Sequence, residues 1–254
     1  MTGANVSGAT FEGANLADAD LSDTNLSDTN MRQSILTGTN MTGAEKLGMD
    51  NTASITERDM GDKLENLGKT LPELLEEHTL WVATAGNSGR QLDLSGYDMR
   101  DVIDLRRFPL TAINCIGGNF LSQDLRSAEL QSATFDRSDF RDCKMTEADL
   151  RGSSFKYAQM ARVDLTCALL CPLEFKKEDG TSTIQRTDLS GANLRFATLT
   201  GADLRDIIMM GVDLTNAILS GCDLRRADLT GAILTNAKLL NCRIDDAIID
   251  LKAL

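Results

Sequence analysis

A large apolar residue returns at every fifth position through most of this chain. A helix repeats about every 3.6 residues and a strand about every 2, so neither element alone accounts for a period of five. Taking the large residue as a centre, centres fall at Val6, Phe11, Leu16, Leu21, Leu26, Met31, Leu36 and Met41. The pattern then lapses. It resumes at Leu94 and Met99, gains one residue, and runs from Leu105 to Phe175, then from Leu189 to Leu254. A chain with this pattern must turn a corner once per repeat, each five-residue unit forming one side of a coil.

On such a side the centre and the residue two before it point inward, and the other three point out. The inward partner is small at Ala4, Ala9, Ala14, Ala128, Ala133, Ala192 and Ala197, because a narrow lumen admits only one large side chain per side. Thr200-Gly201, Ser220-Gly221 and Thr230-Gly231 follow their centres and suit a corner. Successive coils then stack at the strand spacing of about 4.8 Å, each burying the core face of its neighbour. Aromatics are only 4% of the chain, in keeping with a lumen built from aliphatic and small side chains.

Ala14-Asn15-Leu16, Ala19-Asp20-Leu21, Ala148-Asp149-Leu150, Ala192-Asn193-Leu194, Ala202-Asp203-Leu204 and Ala227-Asp228-Leu229 closely resemble the A(D/N)LXX motif of the pentapeptide-repeat family. The resemblance covers residues 4–43 and 92–254 apart from one interruption. It implies an all-β solenoid, a right-handed quadrilateral parallel β-helix with four sides and roughly 20 residues per coil. The organisation expected is N-terminal repeats over 1–46, a helical insert with its loop over 47–91, and a main β-helix over 92–254.

Within the insert, Ser54-Ile55-Thr56-Glu57 and Thr70-Leu71-Pro72-Glu73 both read as capping boxes, the second with Pro in the first turn. Leu64, Leu67, Leu71, Leu74, Leu75, His78, Trp81 and Val82 recur at helical spacing. The spacing predicts a two-helix hairpin over roughly 55–67 and 71–84. Its His78 and Trp81, the only His and only Trp, are either a partner site or the packing that seats the helices on the coil. The second interruption, 176–183, counts as a four-residue corner bulge if Ile184 is a centre. Its Glu178-Asp179-Gly180 tip is a candidate contact.

The net charge is −12, and residues 1–91 hold 14 acidic against 6 basic side chains, which is −8 of it. Counted with the four-residue bulge, Asp104, Asp124, Asp164, Asp188 and Asp228 precede the centres of one side. A subset of the family, the quinolone-resistance proteins, is similar to duplex DNA in shape and charge and binds type II topoisomerases, and such a column is what that role would use. Against it, Arg106, Arg107 and Arg126 share the side. The same count places Arg141, Arg162, Arg186, Arg205, Arg225, Arg226 and Arg243 among Asp139, Asp142, Asp203, Asp206, Asp223, Asp245 and Asp246, a self-neutralising ladder.

Catalysis finds no support in the residue types. One His cannot make a metal cluster, no glycine-rich phosphate loop is present, and carboxylates on convex sides lack an enclosing cavity. No cofactor, metal or catalytic residue is expected. Cys222 and Cys242 should stack in adjacent coils, either as small buried residues standing in for Ala or as a disulfide or soft-metal pair. Ile208, Met210, Ile233, Ile248 and Leu251 fall at outward positions near the C-terminal end and mark a subunit or partner contact there, a homodimer included. With six cysteines, no export signal and no apolar run of about 20 residues, the expectation is a bacterial cytoplasmic protein, away from membranes and without direct nucleic-acid contact. The function expected is a non-catalytic scaffold binding another protein or macromolecule, with a DNA-mimicking modulator of a type II topoisomerase as the alternative.

Overall fold

Each repeat closes its corner with one hydrogen bond, from the N–H three residues after a centre to the carbonyl of that centre, as in Ala192 N–H to Leu189 O at 3.0 Å. The residue two after the centre carries a positive φ, so the corner is a type II turn. Glycine often fills that position. Arg137, Tyr157 and Phe196 also adopt it, with φ of 59–60°. The turn bond and the ladder bonds on both sides hold them there against a conformation they disfavour alone.

The computed structural model describes residues 1–17, 19–56, 61–102, 104–176 and 180–250. The chain forms two compact units, Met1–Gly61 and Asp62–Leu254. In the first, parallel bridges join each position to its equivalent four repeats later, from Asn5↔Asn25 to Ile35↔Ile55. Leu21, Leu26, Met31 and Leu36 form its buried core. The ladder thus runs past 46, where the apolar centres stop. Its hydrogen bonds are backbone groups, and polar residues such as Asn51 can occupy the centre without breaking them.

Among the described residues, the helical insert holds one α-helix, not two. Ser54 and Ile55 belong to the last rung, with Ser54 N–H and Oγ both donating to Asn51 O, so the first capping box does not start a helix. Strand β1 (Asp62–Lys63) follows, then a 3-10 turn over Leu64–Leu67 that ends at Gly68. Helix α1 spans Leu71–Ala83. The second box forms: Glu73 Oε2 accepts from the Thr70 N–H and hydroxyl, both at 2.8 Å.

In the second unit β1 lies parallel to β2 (Tyr97–Asp98), and the same side continues through Asn119, Asp139 and Gln159. The first rungs, Asp93↔Asn114 and Asp98↔Asn119, are one residue longer than those after them, such as Asn114↔Thr134 and Asn119↔Asp139. That places the one-residue gain between Met99 and Leu105. Bridges recur at every fifth position, and Asn114, Asn119, Asp124 and Glu129 each start one before Thr134 returns to the first rung. The coil therefore has four sides. Its lumen is filled by Leu, Met and Phe centres with Ala, Ser and Cys between them. Phe120 stacks on Phe140 at 4.5 Å and Phe135 on Phe155 at 5.1 Å, and the two stacks meet edge to face. The polar lumen residues are satisfied by carbonyls of the neighbouring coil: Ser138 Oγ donates to Cys115 O and Cys143 Sγ to Phe120 O.

The second interruption is longer than a four-residue bulge. Ser154 bridges Asp188, where an unbroken coil would present Glu174. The excess is an antiparallel hairpin of β3 (Leu173–Lys176) and β4 (Ser182–Gln185). Phe175 and Ile184, which the period marks as centres, are exposed on it at 45% and 64%. An alternating strand presents apolar residues at offsets that imitate the repeat, and this hides the excursion from a count of centres.

Candidate interaction surfaces

Helix α1 covers the first coil of the second unit. Leu75 and His78 are buried from its inner face, while Leu71 and Leu74 pack against the core. The His78 ring is committed on both nitrogens: Nε2 donates to Thr111 O at 2.9 Å, and Nδ1 accepts from Leu92 N–H at 3.1 Å. Burial lowers its proton affinity below the ordinary imidazole value. Trp81 stacks beside it at 5.9 Å and is half-buried. His78 therefore has both ring nitrogens committed within the fold, while Trp81 keeps part of its ring at the surface.

The chain leaves α1 and returns across it so closely that a Cβ on Gly89 would lie within 2.6 Å of Trp81 N and closer still to Glu77 O. Arg90 N–H donates to that same Glu77 carbonyl. Nothing in the spacing of Gly86-Asn87-Ser88-Gly89 distinguishes this contact from an ordinary loop.

The hairpin of β3 and β4 is anchored at its base. Gln185 Nε2 donates to Gly152 O at 2.6 Å, its Oε1 accepts from Ser132 Oγ, and Thr187 Oγ1 accepts the Gly152 N–H. A side chain on Gly152 would crowd Leu173 and Gln185. Of the predicted tip, Gly180 carries a φ of +79° with open space around it. Glu178 and Asp179 lie outside the described residues.

With the true rung step, the charge columns regroup. Asp124 and Asp164 share a side that continues as Thr198, Ile218 and Lys238. Asp188 and Asp228 lie on another, alternating with Ile208 and Ile248. The five-Asp column does not exist as one surface, because the hairpin moves Asp188 onto the rung of Ser154. The arginines divide likewise between two sides: Arg141 is on the repeat of Asp139, and Arg205 and Arg225 are on those of Asp203 and Asp223, which stack on Leu169.

Within a repeat, the Arg after a centre forks onto the Asp before it, as in Arg126–Asp124, Arg205–Asp203 and Arg225–Asp223 at 2.6–2.7 Å. Arg126 holds the Asp124 carboxyl down to about 2 through these hydrogen bonds. Between coils, Arg162 forks onto Asp142 and Arg226 onto Asp206. Arg141 is the buried member of the set, with a side chain 2% exposed on Asp139. Desolvation there opposes both charges, raising Asp139 and lowering Arg141.

The predicted apolar residues at the far end divide between two sides. Ile208 and Met210 flank the buried centre Met209, and Ile248 stands two rungs on through Asp228. Met210 is 46% and Ile248 58% exposed. Ile233 lies on the adjacent side, and Leu251 falls outside the described residues. Cys222 is buried and Cys242 half-buried; their thiols donate to Leu199 O and Leu219 O, and burial pushes the Cys222 thiol up to about 12. Among the described residues, no group of three or more His, Cys, Asp or Glu is placed to hold a metal, and no helix is long and apolar enough to cross a membrane.

Among the described residues, these features make the second unit a four-sided β-helix that carries a covering helix and a projecting hairpin. The family model of pentapeptide repeats matches in eight copies, over residues 1–38, 14–45, 110–142, 143–168, 185–206 and 207–246, and the chain belongs to that family. Membership supplies the right-handedness of the coil. Among solved structures, the chain is similar to HetL, a pentapeptide repeat protein involved in heterocyst differentiation regulation in the cyanobacterium Nostoc sp. strain PCC 7120. Identity is 23%, over 97% of this chain and 89% of that one, with a TM-score of 0.25. It is also similar to a trypsin-treated variant of QnrB1, a plasmid-mediated fluoroquinolone resistance protein (20% identity, 65% and 88% covered, TM-score 0.30). A third is a thylakoid-lumen pentapeptide repeat protein of Arabidopsis thaliana (22% identity, 46% and 66% covered, TM-score 0.20). No curated protein matches the chain.

Proposed function

We propose that this protein is a non-catalytic scaffold that binds another protein through the coil side bearing Ile208, Met210 and Ile248. The observation that carries the reading is the exposure of Met210 and Ile248 on the side where Ile208 and Ile248 alternate with Asp188 and Asp228. Apolar groups held outward by a rigid ladder offer contact area with little ordering cost on binding. The same surface can serve a second copy of the chain. The DNA-mimic alternative loses its continuous Asp column, and Asp104 and Asp124 within it are forked by Arg106 and Arg126.

The test is a pull-down from bacterial extract with wild type and a Met210→Asp/Ile248→Asp double variant, alongside sedimentation of both. The reading expects a protein captured, or a dimer formed, by wild type and lost in the variant. Equal capture and equal sedimentation would refute it. Inhibition of gyrase supercoiling by both forms would instead restore the alternative.

A further inference from the structure

A cleft of about 540 Å³ lies between α1 and the Phe108-Pro109 segment that follows the 3-10 turn at Leu105–Arg107. Pro72, Leu75, Leu80 and Ala83 form its helix wall, at positions i, i+3, i+8 and i+11 of one stripe. Phe108 and Pro109 face them. The stripe lies beside the face of Leu71, Leu74 and His78 that packs on the coil, and Leu80 is 49% exposed on it.

The cleft has little to hold a polar ligand. Thr79 also lines it, but its hydroxyl donates to Leu75 O at 2.7 Å, within the helix. Both prolines lack an N–H. The charged group of the lining is Glu76, which makes no ion pair among the described residues. Its neighbours on the helix are engaged, Glu77 by Lys69 and Glu73 by the Thr70 cap.

These features select the occupant. The wall runs from Pro72 to Ala83, about 17 Å or roughly three helical turns. A helix laid along it places apolar side chains at i, i+3 or i+4 and i+7 against the stripe, the way amphipathic helices fill grooves. The charge on α1 then sets the sign of the partner. Glu73, Glu76 and Glu77 stand on it with no Lys or Arg, so a second copy of α1 would bring acid to acid, while a basic residue would complete Glu76.

We propose that this cleft receives a basic amphipathic helix of a partner protein, its apolar stripe packed between Leu80 and Phe108 and a Lys or Arg paired with Glu76. The cleft shares no residue with the coil side bearing Met210 and Ile248, so either reading can fail without the other.

The test is fluorescence anisotropy at about 0.15 M salt with two labelled helical peptides. One is built of Leu, Ala and Lys with leucines at helical spacing, and the other has Glu in place of Lys. The full chain is expected to bind the Lys peptide with a Kd at or below about 100 µM, and the Glu peptide at least about tenfold more weakly. Leu80→Asp adds a negative charge that by itself favours a basic peptide, so a loss of about tenfold or more reports the apolar contact. Glu76→Lys, an exposed change, should weaken the Lys peptide and strengthen the Glu peptide, each by about threefold or more. It keeps the test open should Leu80→Asp fail to fold. Met210→Asp/Ile248→Asp should bind the Lys peptide as wild type does. No binding of the Lys peptide at about 1 mM, Leu80→Asp binding like wild type, an unchanged peptide preference in Glu76→Lys, or a loss only in Met210→Asp/Ile248→Asp would overturn the proposal.

Discussion

Substituting Gly89 by alanine should separate helix α1 from the coil, and the structure provides its own control. Gly89 and Gly96 have nearly equal φ values, +78° and +75°, but nothing lies within 4 Å of a Cβ on Gly96. The cost of a left-handed alanine, about 1–2 kcal/mol, is common to both. At Gly89 the new atom also overlaps the Glu77 carbonyl and the Trp81 N–H, backbone atoms that cannot swing aside. Forcing volume into packed structure adds about 1–3 kcal/mol. The Arg90 N–H to Glu77 O bond would break in the process, adding about 1 kcal/mol. Gly89→Ala should therefore lose about 3–6 kcal/mol and Gly96→Ala about 1–2 kcal/mol. Urea unfolding followed by fluorescence reports on this region directly, because Trp81 is the only tryptophan. A midpoint for Gly89→Ala lower than that of Gly96→Ala by about 1 M or more is expected. Equal midpoints would refute the steric argument.

Three further outcomes follow from the same geometry. Phe140→Ala removes the ring that meets Phe120, Phe135 and Phe155, and should cost about 3–5 kcal/mol by denaturant titration. Asp139→Ala takes the forked carboxylate from the buried Arg141 guanidinium and should cost about 3–5 kcal/mol, whereas Asp203→Ala, facing the 40% exposed Arg205, should cost under about 1 kcal/mol. Equal losses in that pair would count against the burial argument. For His78 the folded chain disfavours the charged imidazole, so the unfolded chain takes up the proton more readily. Above the ordinary value of about 6.5 both states are neutral, and below it stability should fall as the pH drops. Thermal midpoints of wild type between pH 7 and 5 should show that fall, and a non-titrating His78→Gln variant should not.

The coil is legible in the sequence because its core is a side-chain pattern. Alternating large and small inward residues such as Leu194 and Ala192 announce a narrow lumen, and the structure buries both. Backbone features are hidden. The rung through Glu45, Asp50 and Ile55 has polar centres but keeps its main-chain bonds, with Ala44 and Met49 still packed against the core. The hairpin's length escapes a count of centres because Phe175 and Ile184 occupy positions a continuing repeat would use, and the miscount displaces every column beyond it. Helical spacing points to His78 as part of an apolar stripe, but only the fold shows both ring nitrogens bound to main-chain groups.

The hairpin joins the coil at one corner, and the ladder closes directly across its base from Ser154 to Asp188. Residues beyond it are therefore placed by the rungs, not by the number of residues in the excursion. A longer or shorter appendage, grafted between Leu170 and Thr187 with the Gln185 and Gly152 contacts kept, would leave every downstream face in register. Such a corner lets a lineage exchange recognition loops at a fixed address while the solenoid that carries them stays unchanged.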